Sequence, residues 1–166
     1  MKRILALFLY ALIPFAYSND CIPLAFQNLS EQLDRAVSYD TWVDELATEK
    51  EPPLLGRAIE SWNSHFPDRN LVCIFSVDPS IDVSEKSIIF YPFGEPYFWV
   101  GKIPDRLKDS KSKANSHAAL LSITQDQKFV LVHPLNSEST EFFIEKLSEK
   151  EFFERTYVVY QLKKNE

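Results

Sequence analysis

The stretch from Ser116 to Pro134 constrains the fold of this chain more than any other. It contains two short apolar segments, Ala118–Ile123 and Lys128–Val132, joined by four polar residues. Segments this short, bounded by turn-forming residues, are typical of β-strands and not of buried helices. The sequence therefore predicts an antiparallel hairpin, in which His117 before the first strand and His133 after the second lie side by side.

The rest of the chain divides into helical and extended patterns. Apolar residues at a spacing of three to four predict helices over residues 22–37, 39–48 and 54–66, and a further helix is predicted over 137–154. Continuous or alternating apolar runs predict strands over residues 71–77, 87–91, 97–103 and 157–162. The polar segment 104–115 is predicted to be a surface loop. Helices that precede a largely antiparallel sheet indicate an α+β fold with N-terminal helices packed on the sheet.

Residues 1–18 have the pattern of a secretory signal peptide. Two basic residues precede the apolar run Ile4–Phe15, and Ala16 and Ser18 provide the small residues of a cleavage site. The apolar run is too short to span a bilayer. We therefore expect cleavage near Ser18, export to the periplasm or the extracellular space, no stable membrane anchor, and one domain formed by residues 19–166.

Composition argues against several classes of function. The chain has a formal net charge of −6 and contains no block of Lys and Arg, so nucleic acid is not an expected partner. Its three histidines and two cysteines lack the spacing of a metal site, and its three glycines form no glycine-rich phosphate loop. We therefore expect no metal ion and no cofactor, while the oligomeric state stays open.

Cys21 lies at the predicted start of the first helix, with Asp20 as the expected N-cap. Unpaired backbone N–H groups and the helix dipole at such a position favour a thiolate and lower the thiol pKa. A thiolate beside an imidazole is a nucleophile, and the hairpin supplies two candidate imidazoles. A second interpretation stays open, because two cysteines in an oxidising compartment also suggest a disulfide between Cys21 and Cys73.

An Asp-Cys pair that opens a helix, followed later by Ser-His before a strand–turn–strand unit, resembles the papain-like superfamily of cysteine hydrolases. The hairpin and the elements after it are similar to the bacteriocin-leader peptidases, and the second histidine resembles that of NlpC-type cell-wall hydrolases. The resemblance covers about residues 20–162. It implies a papain-like fold that hydrolyses peptide or amide bonds in peptides or cell-wall peptides. It also implies Cys21 as nucleophile, His117 as general base and His133 as the residue that orients the base.

The chain departs from both families at particular positions. The leader peptidases have aspartate where this chain has His133, and glutamine about six residues before the cysteine, where this chain has Phe15. In the NlpC type Ser-Gly follows the cysteine, whereas Ile-Pro follows it here. These departures support an alternative function. In that alternative the protein is a non-catalytic exported binding or effector module on the same fold, held by the Cys21–Cys73 disulfide.

Overall fold

The structure is a computed structural model that describes residues 17–46, 55–83, 94–108 and 115–165. The described residues form four α-helices, one short 3-10 helix (Asp105–Leu107) and six strands. The helices are α1 (Tyr17–Gln32), α2 (Tyr39–Leu46), α3 (Leu55–His65) and α4 (Glu149–Arg155). The strands are β1 (Arg69–Ser76), β2 (Tyr97–Lys102), β3 (Ser116–Ile123), β4 (Phe129–Pro134), β5 (Phe142–Leu147) and β6 (Thr156–Lys164). The predicted α+β class is confirmed.

The six strands form one antiparallel sheet in the order β1-β6-β2-β3-β4-β5. The predicted hairpin is β3 with β4, and its register pairs Leu120 with Val132 and Leu121 with Leu131. The last strand, β6, lies between β1 and β2 and is therefore an interior strand of the sheet. Long-range pairing of β6 therefore joins the N-terminal part of the sheet to the hairpin.

Each face of the sheet has its own apolar core, because successive side chains of a strand point to opposite faces. On the face covered by α1, α2 and α3, here called the three-helix face, Phe26 contacts the rings of Trp42, Trp62 and Phe98. On the other face, here called the α4 face, the core includes Trp99 and residues of β3, β4 and α4. The sheet therefore separates two apolar cores, one on each of its faces.

Helix α1 begins earlier than predicted. It starts at Tyr17, so Cys21 lies beyond its first turn and Asp20 is not the N-cap. The Asp20 carboxylate instead accepts a hydrogen bond from Tyr39, and burial raises its pKa. Residues 1–16 of the predicted signal peptide and the predicted strand 87–91 lie outside the described residues. Within the described ranges, no helix has the length and apolar character needed to cross a membrane.

The helix predicted over residues 137–154 is wrong in its first half. Residues Phe142–Leu147 form strand β5, which pairs with β4 along its whole length. The helix starts only after Ser148, whose side chain forms a capping box with Glu151. The adjacent pair Phe142 and Phe143 fits an apolar helix face, but the residues from Phe142 onward alternate between the two sheet faces, as a strand requires.

Candidate functional site

The two histidines of the hairpin lie together on the α4 face. His117 pairs with Gly101 of β2, His133 pairs with Phe143 of β5, and the two imidazole centroids are 5.0 Å apart. His117 is 3% exposed and His133 is fully buried. The predicted neighbourhood of the two imidazoles is therefore present, but deep in the core and not at an open surface.

His133 is part of a polar network that the sequence analysis missed. Its Nε2 atom is 2.9 Å from Oε2 of Glu145, and the guanidinium of Arg155 donates to both oxygens of that carboxylate at 3.0 and 2.9 Å. Together with His117 these residues are called the buried polar cluster. Glu145 and Arg155 went unnoticed because the segment of Glu145 had been assigned to a helix. The alternation Phe143, Glu145, Leu147 was the signal that places the carboxylate on the α4 face.

Burial makes both imidazoles weak bases. It lowers the pKa of His117 to about 3, with the neighbouring His133 and Arg155 acting in the same direction. Burial also lowers the pKa of His133 to about 4, although the Glu145 carboxylate opposes this shift. Both ring nitrogens of His117 lack a hydrogen-bond partner among the described residues. The Nδ1 atom of His133 lacks one as well. Both rings are therefore neutral at pH 7, and His117 is held by packing alone.

Cys21 lies on the opposite face of the sheet. It packs against the core of the three-helix face, to which Ala118 and Leu120 of β3 also contribute. His117 precedes Ala118 in the same strand, so its side chain points to the α4 face. Desolvation raises the pKa of the Cys21 thiol to about 11, and the nearby backbone of Ala118 opposes this only in part. The structure thus brings His117 and His133 together, but it does not bring Cys21 to either of them.

Cys21 and Cys73 are both thiols, so the Cys21–Cys73 disulfide is absent from the structure. Cys73 belongs to β1 and donates from its sulfur to the carbonyl oxygen of Phe75 at 3.3 Å. Burial raises the pKa of this thiol as well. Both side chains contribute to the core of the three-helix face, which is the ordinary role of a buried cysteine.

A cleft of about 310 Å³ opens beside the buried polar cluster, at the end of β2. Its lining residues are Lys102, Ile103, Pro104, Asp105, Arg106, Glu145 and Arg155. The guanidinium of Arg106 lies over the ring of Phe143, 5.0 Å from its centroid. The segment after β2 was predicted only as a surface loop, because isolated basic residues in a polar stretch carry no motif. Three cationic residues nevertheless line this cleft: Lys102 at the end of β2, Arg106 in the segment after it and Arg155 at the end of α4.

In the described part of the chain, no group of three or more His, Cys, Asp or Glu side chains is arranged so that it could hold a metal ion. Comparisons of the chain with protein-family models, with curated proteins and with solved structures found no match. The function must therefore be argued from the geometry of the molecule itself.

The buried imidazoles predict that the protein loses stability in mild acid. The unfolded chain takes up a proton at each histidine near pH 6.5, whereas the folded protein does so only near pH 3 to 4. The unfolded state therefore binds more protons between these values, and the free energy of unfolding falls as the pH falls below 6.5. We expect a loss of about 1 kcal/mol for each of His117 and His133 between pH 7 and pH 5.5. Urea denaturation at the two pH values measures it.

The control for this prediction is His117→Leu, which keeps the bulk of the side chain and removes one titrating group. Its stability should fall less between pH 7 and pH 5.5 than that of the unsubstituted protein, by the contribution of one histidine. An identical pH dependence in the two proteins would show that His117 is not held neutral in the folded state.

Proposed function

We propose that this protein is an exported, non-catalytic binding module on a papain-like scaffold. Export is supported by the signal-peptide pattern of residues 1–18. The scaffold is supported by the chain order, in which a helix bearing Cys21 precedes a sheet whose hairpin bears His117 and His133. One observation carries the non-catalytic part: the sheet lies between the thiol and both imidazoles.

A cysteine hydrolase needs a sulfur and an imidazole within hydrogen-bond reach, so that the imidazole can take the thiol proton. Here both nitrogens of His117 lack a hydrogen-bond partner among the described residues, so Cys21 does not supply one. A thiol pKa of about 11 leaves Cys21 protonated at neutral pH. A histidine pKa of about 3 makes His117 a poor proton acceptor. The geometry and both protonation equilibria thus oppose nucleophilic catalysis.

The buried polar cluster has a structural explanation that needs no reaction. Glu145 lies on the edge strand β5, and Arg155 ends α4, so their ion pair ties the helix to the edge of the sheet. His133, on the neighbouring strand β4, donates a hydrogen bond from its Nε2–H to the same carboxylate. This partly buried ion pair and its third hydrogen-bonding group link three elements: β4, β5 and α4. We infer that His133, which occupies the position of a catalytic residue in the resembled families, here stabilises the packing of α4 against β4 and β5.

Alkylation of the purified protein with iodoacetamide at pH 7.5 tests this proposal. Because Cys21 is partly buried against the core and its pKa is raised, we expect it to react at least about tenfold more slowly than the same residue in the protein unfolded in urea. The Cys73→Ala variant isolates the rate of Cys21, and peptide mass spectrometry locates the label. The Cys21→Ala variant, which leaves only Cys73, serves as the matched control.

The proposal would be overturned if Cys21 were alkylated faster in the folded protein than in urea, because folding accelerates the reaction only when it activates the thiolate. So would a peptide substrate that becomes covalently attached to Cys21. A slow rate, equal to or below that of the buried Cys73, supports a non-catalytic role.

A further inference from the structure

The charges that line the cleft do not cancel. Glu145 is already neutralised by Arg155, whose two nitrogens donate to its two oxygens. Asp105 forms an ion pair with Lys108 at the edge of the cleft. Lys102 and Arg106 also line the cleft, and Lys102 helps to lower the pKa of Asp105. Among the described residues, the lining therefore has more positive than negative charge, in a chain whose net charge is −6.

The guanidinium of Arg106 is held in position before any ligand arrives. It lies over the ring of Phe143, which is itself stacked on His133 with 5.4 Å between centroids. Stacking of a guanidinium on an aromatic face leaves its N–H groups at the edge, where they can donate to a planar acceptor. Phe143 thus acts as a positioning residue for Arg106.

From this arrangement we propose that the cleft binds a carboxylate group of its ligand. An arginine fork donates two parallel hydrogen bonds to a carboxylate, and the nearby charge of Lys102 adds to the attraction. The lining groups carry three positive and two negative charges, a net of +1. This balance suits a monoanion better than a dianion, because a dianion would leave the cleft with a net negative charge. A volume of about 310 Å³ accommodates a terminal residue of a peptide and not a long segment.

This inference rests on the proposed binding function and names the chemistry of the partner. A peptide with a free C-terminal carboxylate has both the charge and the size that the cleft accepts. The guanidinium of Arg155 contributes to the potential of the cleft, but its donors are taken up by Glu145. Arg106, whose guanidinium lies over Phe143, is therefore the group we assign to the carboxylate, and Lys102 adds positive charge at the end of β2.

The experiment is a titration of the purified protein, followed by NMR, with N-acetyl-alanyl-alanine at constant ionic strength. The same dipeptide as its C-terminal amide tests the charge, and inorganic phosphate tests the second source of an oxyanion. We expect saturable shifts of resonances around the cleft with the free carboxylate, and no saturable shift with the amide. The Arg106→Gln variant should bind the carboxylate at least about tenfold more weakly, as expected for loss of a charge-assisted pair.

Two further variants make the result specific. Arg106→Lys keeps the charge and removes the fork, so it should bind more weakly than the unsubstituted protein and more tightly than Arg106→Gln. Lys163→Gln makes the same change of net charge at the far end of β6, where Lys163 pairs with Asn70, and its affinity should be unchanged.

Three results would overturn the inference: equal binding of the amide, tighter binding of phosphate than of the dipeptide, or an equal loss of affinity in Arg106→Gln and Lys163→Gln. None of these affects the alkylation rate of Cys21. Rapid alkylation of that thiol, conversely, would overturn the non-catalytic function and leave the carboxylate site standing.

Discussion

Replacing Gly101 by alanine is expected to lower the free energy of unfolding by about 3 kcal/mol, the upper range for overpacking a core. A Cβ at this position would come within 3.0 Å of the carbonyl oxygen of Arg155 and of the indole ring of Trp99. The first contact is with backbone, and the second is with a ring that is fully buried. Neither neighbour can move without disturbing the sheet. Urea denaturation at neutral pH, followed by fluorescence, measures the loss.

The reason lies in the way β2 meets β6. The register between these strands shifts between Val100 and Gly101, so the end of α4 approaches β2 closely. The indole of Trp99 fills the space beside Gly101 and donates from Nε1 to the hydroxyl of Thr156 at 2.9 Å. A methyl group at residue 101 would displace this ring and break its buried hydrogen bond.

Gly56 provides the matched control. It lies in the first turn of α3, and a Cβ added there meets no atom within 4 Å. Gly56→Ala should therefore raise stability by about 0.5 kcal/mol, since alanine has the higher helix propensity. Equal effects of the two substitutions would contradict the close packing described at Gly101.

The Phe26→Ala variant is expected to lose about 4 kcal/mol, within the range for truncation of a buried aromatic residue. Phe26 is fully buried, and its ring centroid lies 5.1 Å from those of Trp42 and Trp62 and 5.0 Å from that of Phe98. It is thus the side chain through which α1 contacts α2, α3 and the sheet together. The cavity left by alanine is lined by rigid rings that cannot collapse into it.

Two substitutions separate the loss of packing from a general effect of replacing phenylalanine. Phe26→Leu keeps most of the volume and should cost about 1 kcal/mol. Phe142→Ala, at a residue that is 40% exposed on the edge strand β5, should cost less than about 1 kcal/mol. All three are measured by urea denaturation. A small effect of Phe26→Ala would mean that the three N-terminal helices do not depend on α1 for their packing.

Local patterns were enough to predict the hairpin and the adjacency of the two histidines. The apolar segments that became β3 and β4 are short and bounded by polar residues, so both their type and their antiparallel pairing follow from the sequence. The apolar stripe of α1, from Ile22 to Leu29, likewise identifies a helix that packs on one side of a sheet. These features are set by interactions between residues close in the chain.

The catalytic interpretation depended on the direction of one side chain. The sequence places His117 at the start of the first strand of the hairpin, but it does not define which face of that strand packs against α1. In the structure Ala118 belongs to the core of the three-helix face, so strand alternation directs His117 to the α4 face. Which face of a strand meets a helix is decided by packing between distant segments, and local patterns do not define it.

The cleft could not be predicted for a different reason. Lys102 and Arg106 are close in sequence, but Arg155 comes from a distant segment, and no local pattern links it to them. They meet because β6 inserts beside β2, a pairing between parts of the chain that are far apart. The ion pair of Glu145 with Arg155 has the same origin, since it requires that β5 be a strand and that α4 end beside it.

Arg155 is the last residue of α4, and Thr156 is the first of the interior strand β6, so no loop separates the two elements. The backbone at this junction is held by helical hydrogen bonds on one side and by the sheet on the other, and the Arg155 side chain is held by its two hydrogen bonds to Glu145. Binding of the proposed carboxylate ligand would therefore require no rearrangement of this side of the cleft. The conformational entropy lost there on binding would be mainly that of the ligand.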